Sequence, residues 1–258
     1  MYGGQISRIA TERLPPRQKQ TALQRASSGR VGTGSSPFSL RTWKDLALDH
    51  SGPGLTMTGL IIAAFVYALF TGGPVRWALT GPLLAEGQFY RLLSHMFAHL
   101  NLSHLWFNLA GLLALSPVVY SRFGKGWPAW SRYSLLYFGA GLAGAILFLA
   151  FHPTSDIPML GASGAIFGLW GAASRVGPEP EPVPLWSRQV GLAVRGAVVS
   201  NLAIVGLLFV LTRTTGGGIG LAWEAHLGGF LAGLFLMPYL MQEAGVGLTA
   251  AAPTSDHP

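Results

Sequence analysis

The chain has 258 residues, enough for one sizeable domain, yet only 10% are charged and 50% are hydrophobic. A soluble globular domain carries about a quarter charged residues, so that class is excluded. The absence of cysteine also excludes disulfides, thiolate metal sites and cysteine nucleophiles, and a formal charge of +7 leaves open where the basic residues lie.

Residues 1–50 show no periodicity and little to bury, and are expected to form a disordered, basic, cytoplasmic N-terminal tail. Their Arg- and Ser-rich, acid-poor composition loosely resembles a mitochondrial transit peptide, and no apolar run near the start suits a cleavable secretory signal. Within the tail, "SLRTWKDLAL" fits a short interfacial helix. Six apolar runs follow, at about 55–73, 95–119, 128–151, 162–174, 191–212 and 224–241. A bilayer crossing needs roughly 20 apolar residues, so the fourth run is too short to span alone. It is expected to be buried among the others and entered by a loop dipping into the membrane. The fold class is therefore an all-α polytopic membrane protein, a six-transmembrane-helix bundle over 51–245, with a short flexible tail at 246–258.

The connections are informative too. "GGPVRWALTGPLLAEGQFYRLL" is too apolar for a solvated loop and is expected to lie partly in the outer leaflet. "GPEPEPVPLW" is a Pro-rich connector, and the glycines of "TRTTGGGIG" suit a moving loop. No internal repeat is visible, which argues against a transporter built from inverted halves. Eight of the 17 basic residues precede residue 54, and Arg122, Lys125, Arg132, Arg175, Arg188 and Arg195 fall at the second-to-third and fourth-to-fifth connections. Only Arg76, Arg91 and Arg213 fall on the other side. This positive-inside bias puts both termini in the cytoplasm. With residues 1–50 read as a cytoplasmic tail rather than a transit peptide, the expected location is a bacterial inner membrane rather than a mitochondrial one. No aromatic residues interleave with the arginines, so nucleic acid is not an expected partner.

Ionisable groups inside a membrane are costly and point to function. "HMFAHLNLSHLWFN", His95 to Asn108, holds three histidines and two asparagines. If it is helical, His95 and His99 share one face and His104 and Asn108 lie nearly opposite, with Asn101 apart. The acceptor pattern "NLS" at Asn101 is set aside because a site inside a span is out of reach of glycosylation. "GASGAIFG", Gly161 to Gly168, opens the short fourth run with Ser163, which alone would read as a helix N-cap. "EAHLGGFLAGL" places His226 beside Gly229 and Gly233. Gly229 with Gly233, and Gly164 with Gly168, form two small-residue faces of the kind that let membrane helices approach closely. If these faces meet, Ser163 and His226 come within hydrogen-bond reach. Glu224 points elsewhere on that helix, so no carboxylate is expected to orient the histidine and the pair reads as a dyad.

In combination these motifs resemble the rhomboid intramembrane serine proteases over roughly residues 50–245. The resemblance implies Ser163 as nucleophile and His226 as base. It also implies an oxyanion hole of His104, Asn108 and the Ser163 backbone N–H, and an aromatic, Phe167, stacked on the histidine. Arg91 in "FYRLL" falls where the family often has Trp-Arg, with Tyr90 in place of the Trp. Gly161, Gly164, Gly229 and Gly233 are expected to support the geometry, and His95 and His99 to brace the first loop by hydrogen bonds. No cofactor or metal is implied. The expected partners are the lipid bilayer and membrane proteins whose transmembrane helix can unwind locally, cut near a small residue. Two other readings stand beside this one. An inactive relative that binds and routes membrane clients would commonly lack the serine or the histidine, and both are here. A metalloprotease or metal transporter using His95, His99 and His104 lacks the HExxH glutamate.

Overall fold

In a computed structural model, residues 50–215 and 222–241 are described, with side chains over 207–215 excepted. The expected basic tail, its interfacial helix, the glycines of "TRTTGGGIG" and the C-terminal tail lie outside the described residues. Among those described, all regular structure is helical: α1 (Gly52–Phe70), α2 (Gly81–Ala85), α3 (Arg91–Ser94), α4 (Leu102–Tyr120), α5 (Gly126–Phe151), α6 (Ser163–Ala173), α7 (Arg188–Thr215) and α8 (Trp223–Leu240). Short 3-10 turns at Pro74–Trp77 and His95–Phe97 flank α2 and α3. Helices α1, α4, α5 and the part of α7 over Arg188–Gly206 are long and apolar enough to cross a membrane. Large apolar side chains such as Phe70, Phe107, Leu135 and Leu202 are exposed on their outer faces, as a lipid-facing surface requires. The molecule is an integral, multi-pass membrane protein.

Helix α6 sits at the centre, packed by α4, α5 and α8. Its eleven residues rise only about 16 Å, roughly half a hydrocarbon core. The main core joins Leu112 of α4, Tyr133, Leu136 and Tyr137 of α5, Leu169 of α6 and Met237 of α8, all fully buried. Glycines set the spacing. A β-carbon on Gly229 would overlap the Gly164 carbonyl oxygen, and one on Gly233 would overlap that of Gly168. Gly228 and Gly144 likewise let α8 and α5 touch backbone to backbone. Backbones this close are open only to residues without side chains.

The segment between α1 and α4 folds onto the approach to α6. Leu79 and Met159 exchange backbone hydrogen bonds of 2.8 and 2.9 Å, and the Gly161 N–H donates to the His95 carbonyl at 2.8 Å. The buried Arg91 guanidinium donates to the carbonyls of Arg76 (2.8 Å) and Ala78 (2.6 Å) and to Gln88 Oε1 (2.7 Å). One cation thus ties three points of the loop together and fixes its shape against the strand-like segment before Ser163.

The second apolar run departs from expectation. Helix α4 begins at Leu102 rather than near residue 95, because Asn101 is extended and its Oδ1 accepts the His104 backbone N–H at 2.8 Å. That is an N-cap, and it satisfies a donor that a continuous helix would have paired internally. His95 and His99 therefore precede the helix and do not share a helical face. Asn101 stands exposed at the helix end, not inside a span.

Candidate active site

Ser163 is the first residue of α6, with Ala162 as its N-cap. The first N–H groups of a helix lack internal acceptors and carry the positive end of its dipole. The turn leading in needs glycine, since Gly161 has φ +119°. A β-carbon there would also lie 2.7 Å from His104 Nε2 and 3.9 Å from Ser163 Oγ, so the serine and the His104 ring flank one small space.

His226 comes from the first turns of α8 and is buried. Its Nε2 lies 2.8 Å from Ser163 Oγ. The Phe167 ring stacks on the imidazole with centroids 4.3 Å apart and planes within 4°. Because Gly164 and Gly229 let α6 and α8 touch, side chains one turn apart on the two helices meet here. The other imidazole nitrogen, Nδ1, lies 2.7 Å from Asn201 Oδ1 on α7. A hydroxyl hydrogen-bonded to an imidazole that is itself held by a third group is the arrangement that activates a nucleophile.

His104 projects from the first turn of α4. Its Nδ1 accepts from the Leu100 N–H at 3.4 Å, which leaves Nε2 as the protonated, donating nitrogen beside Gly161. Asn108, one turn on, is buried and donates through Nδ2 to the His104 carbonyl at 2.8 Å. An amide nitrogen has a second N–H, which that bond does not use.

The residues around them differ from expectation in two ways. His99 and His104 are not on opposite faces: their rings lie 5.1 Å apart, because the chain turns at Leu100 and Asn101 instead of continuing as helix. His99 is fully buried and its Nε2 faces the Ala162 N–H at 3.5 Å, one residue before the serine. Among the described residues the side-chain nitrogens of His95 have no hydrogen-bond partner, and its bracing of the loop runs through its backbone carbonyl, which accepts the Gly161 N–H. Glu224 is directed away from His226 and bonds His152 Nε2 at 2.9 Å, tying the start of α8 to the end of α5.

Residues 86–243 match the family model described as the Rhomboid domain. The chain belongs to the rhomboid family. It is 32% identical over 153 residues to the rhomboid protease GluP of Bacillus subtilis (strain 168), covering 59% of this chain and 26% of GluP. Rhomboid-like protease 1 of Toxoplasma gondii is 30% identical over 152 residues, covering 59% of this chain and 47% of that protein. Rhomboid-like protease 3 of the same organism is 26% identical over 221 residues, covering 81% and 78%. This rhomboid chain thus spans less than half the length of the first two relatives.

Sequence reasoning missed Asn201. The available signal was an amide inside an apolar stretch, "VVSNLAIV", on the fifth run. Nothing local in that stretch says which helix the amide faces.

Proposed function

We propose that this rhomboid is an intramembrane serine endopeptidase that cuts transmembrane segments of other membrane proteins. Ser163 is the nucleophile and His226 the general base. Ser163 Oγ attacks the scissile carbonyl as His226 Nε2 takes its proton, the imidazolium returns that proton to the leaving amine, and water then releases the acyl-enzyme. The oxyanion forms beside the Ser163 N–H, with His104 Nε2–H and the second N–H of Asn108 as further donors. In a site of low dielectric, preorganised donors of this kind are the largest source of rate.

The observation that carries this reading is the 2.8 Å contact between Ser163 Oγ and a stacked, buried His226 at the head of α6. The protease names of the relatives agree with it. In this reading α1, α4, α5, α7 and α8 surround the short, buried α6 in a six-helix membrane bundle over residues 51–245, both termini are cytoplasmic, and the host is a bacterial inner membrane. Substrates are helices that unwind readily near a small residue.

The test is cleavage of a reconstituted single-span substrate in proteoliposomes. Wild-type protein should cut within the transmembrane segment, in the presence of chelator, and Ser163→Ala should not. Substrate capture without cleavage by wild type would favour a client-binding role. Chelator-sensitive cleavage restored by zinc would favour a metal enzyme.

A further inference from the structure

We propose that Asn201 is a third member of this site, a positioning residue that fixes the tautomer and orientation of His226; the inference rests on the serine mechanism above. The Asn201 amide is held by its other end, since Nδ2 donates to the Ala197 carbonyl at 2.9 Å. The atom facing His226 is therefore the carbonyl Oδ1, 2.7 Å from Nδ1. A carbonyl oxygen only accepts. Nδ1 must then carry the hydrogen, and the lone pair of Nε2 is left facing the Ser163 hydroxyl. Two constraints act on the ring independently. Phe167 holds its plane by stacking, and Asn201 holds its rotation within that plane. Without the amide, the ring could carry its hydrogen on Nε2, and that tautomer cannot accept the serine proton.

The placement of Asn201 supports a role beyond packing. Its neighbours Val198, Val199 and Leu202 are exposed on the outer face of α7, so an amide in this helix is out of keeping with its surroundings. Polar groups at such positions turn inward to a site or cavity. The other titratable groups near His226 are His104 on α4, whose Nε2 lies by Gly161, and Glu224 on α8, which is engaged by His152. Ser163 from α6 occupies Nε2. Asn201 is thus the group on α7 that addresses Nδ1.

The experiment compares wild type, Asn201→Ala and Asn201→Asp as full-length reconstituted protein. It reads kcat and KM for cleavage, the rate of Ser163 modification by a fluorophosphonate as a function of pH, and thermal stability. Asn201→Ala should lower kcat and the modification rate roughly 10- to 100-fold with KM little changed, as expected for a base that has lost its alignment. Asn201→Asp should recover most of that rate. Its carboxylate stabilises the imidazolium, so its rate should rise to a plateau at higher pH than in wild type. If Asn201 only joins α7 to α8, both variants lose stability while the modification rate of the folded protein and its pH profile stay as in wild type. That result overturns the positioning role and leaves the serine mechanism standing. Failure of wild type to be modified at all overturns the serine mechanism, and this inference with it.

Discussion

The seam between α6 and α8 and the helix α7 lie side by side and are built by opposite rules. Along the seam, Gly164, Gly168, Gly229 and Gly233 bring backbones into contact, and residues on both sides are buried. In the apolar stretch of α7 within Arg188–Gly206 only 11% of the residues are buried, against 39% in the corresponding stretch of α5. The seam sets the Ser163–His226 distance, while α7 contributes one amide to the edge of the site. The difference teaches that a site in a membrane protein can draw its precision from a few glycines, with little demand on the rest of the helix surface. The proposed hydrolysis needs water inside the bilayer, and α7 is a lightly packed neighbour of the closely packed α6–α8 pair.

The seam is broken most directly at Gly229. Gly229→Val should reduce cleavage by about 100-fold or more and lower the melting temperature, because roughly 1 Å of displacement between nucleophile and base has that cost. Since even a β-carbon meets the Gly164 carbonyl, Gly229→Ala must shift backbone as well, and should show a smaller loss in both readouts. Cleavage rates and melting curves for both variants check this, and full activity in Gly229→Val would refute the seam as the source of the geometry.

A smaller effect is expected on the α4 side of the site. Asn108→Ala should lower kcat on the order of 100-fold with little change in KM, as for loss of an oxyanion donor. His99→Ala should instead lower thermal stability, because it empties a fully buried position behind Ala162. Steady-state kinetics alongside thermal melting separate the two. Equal stability losses with no kinetic change in Asn108→Ala would contradict the division.

The smallest effect belongs to the outer face of α7. Leu202 is 66% exposed, and Leu202→Ala should change stability by no more than about 0.5 kcal/mol and leave kcat unaltered. A large loss on cleavage assay would mean that this face is covered, and would erase the contrast between the two regions.

What could be read from the sequence follows the same contrast. Helical runs and the two glycine faces were legible because period and residue size are local properties, and the proximity of Ser163 to His226 follows once those faces are docked. The start of α4 was not, since the hydropathy of "HMFAHLNLSHLWFN" is continuous and only the side-chain cap of Asn101 ends the irregular segment. For the same reason the His99–His104 contact was hidden. Asn201 was illegible for another reason: its partner is 25 residues away on a different helix, and no spacing rule links them. The family resemblance marked Arg91, but its partners are the carbonyls of Arg76 and Ala78, which any residue could supply, so the sequence carried no mark of which points of the loop it ties.

The central claim is that Ser163 is a nucleophile activated by His226. Its most direct test is to treat the full-length protein in proteoliposomes with a fluorophosphonate and map the adduct by mass spectrometry. The account predicts a single adduct on Ser163 in wild type and none in either Ser163→Ala or His226→Ala. An adduct on another serine, or undiminished labelling of Ser163 in folded His226→Ala, would contradict it.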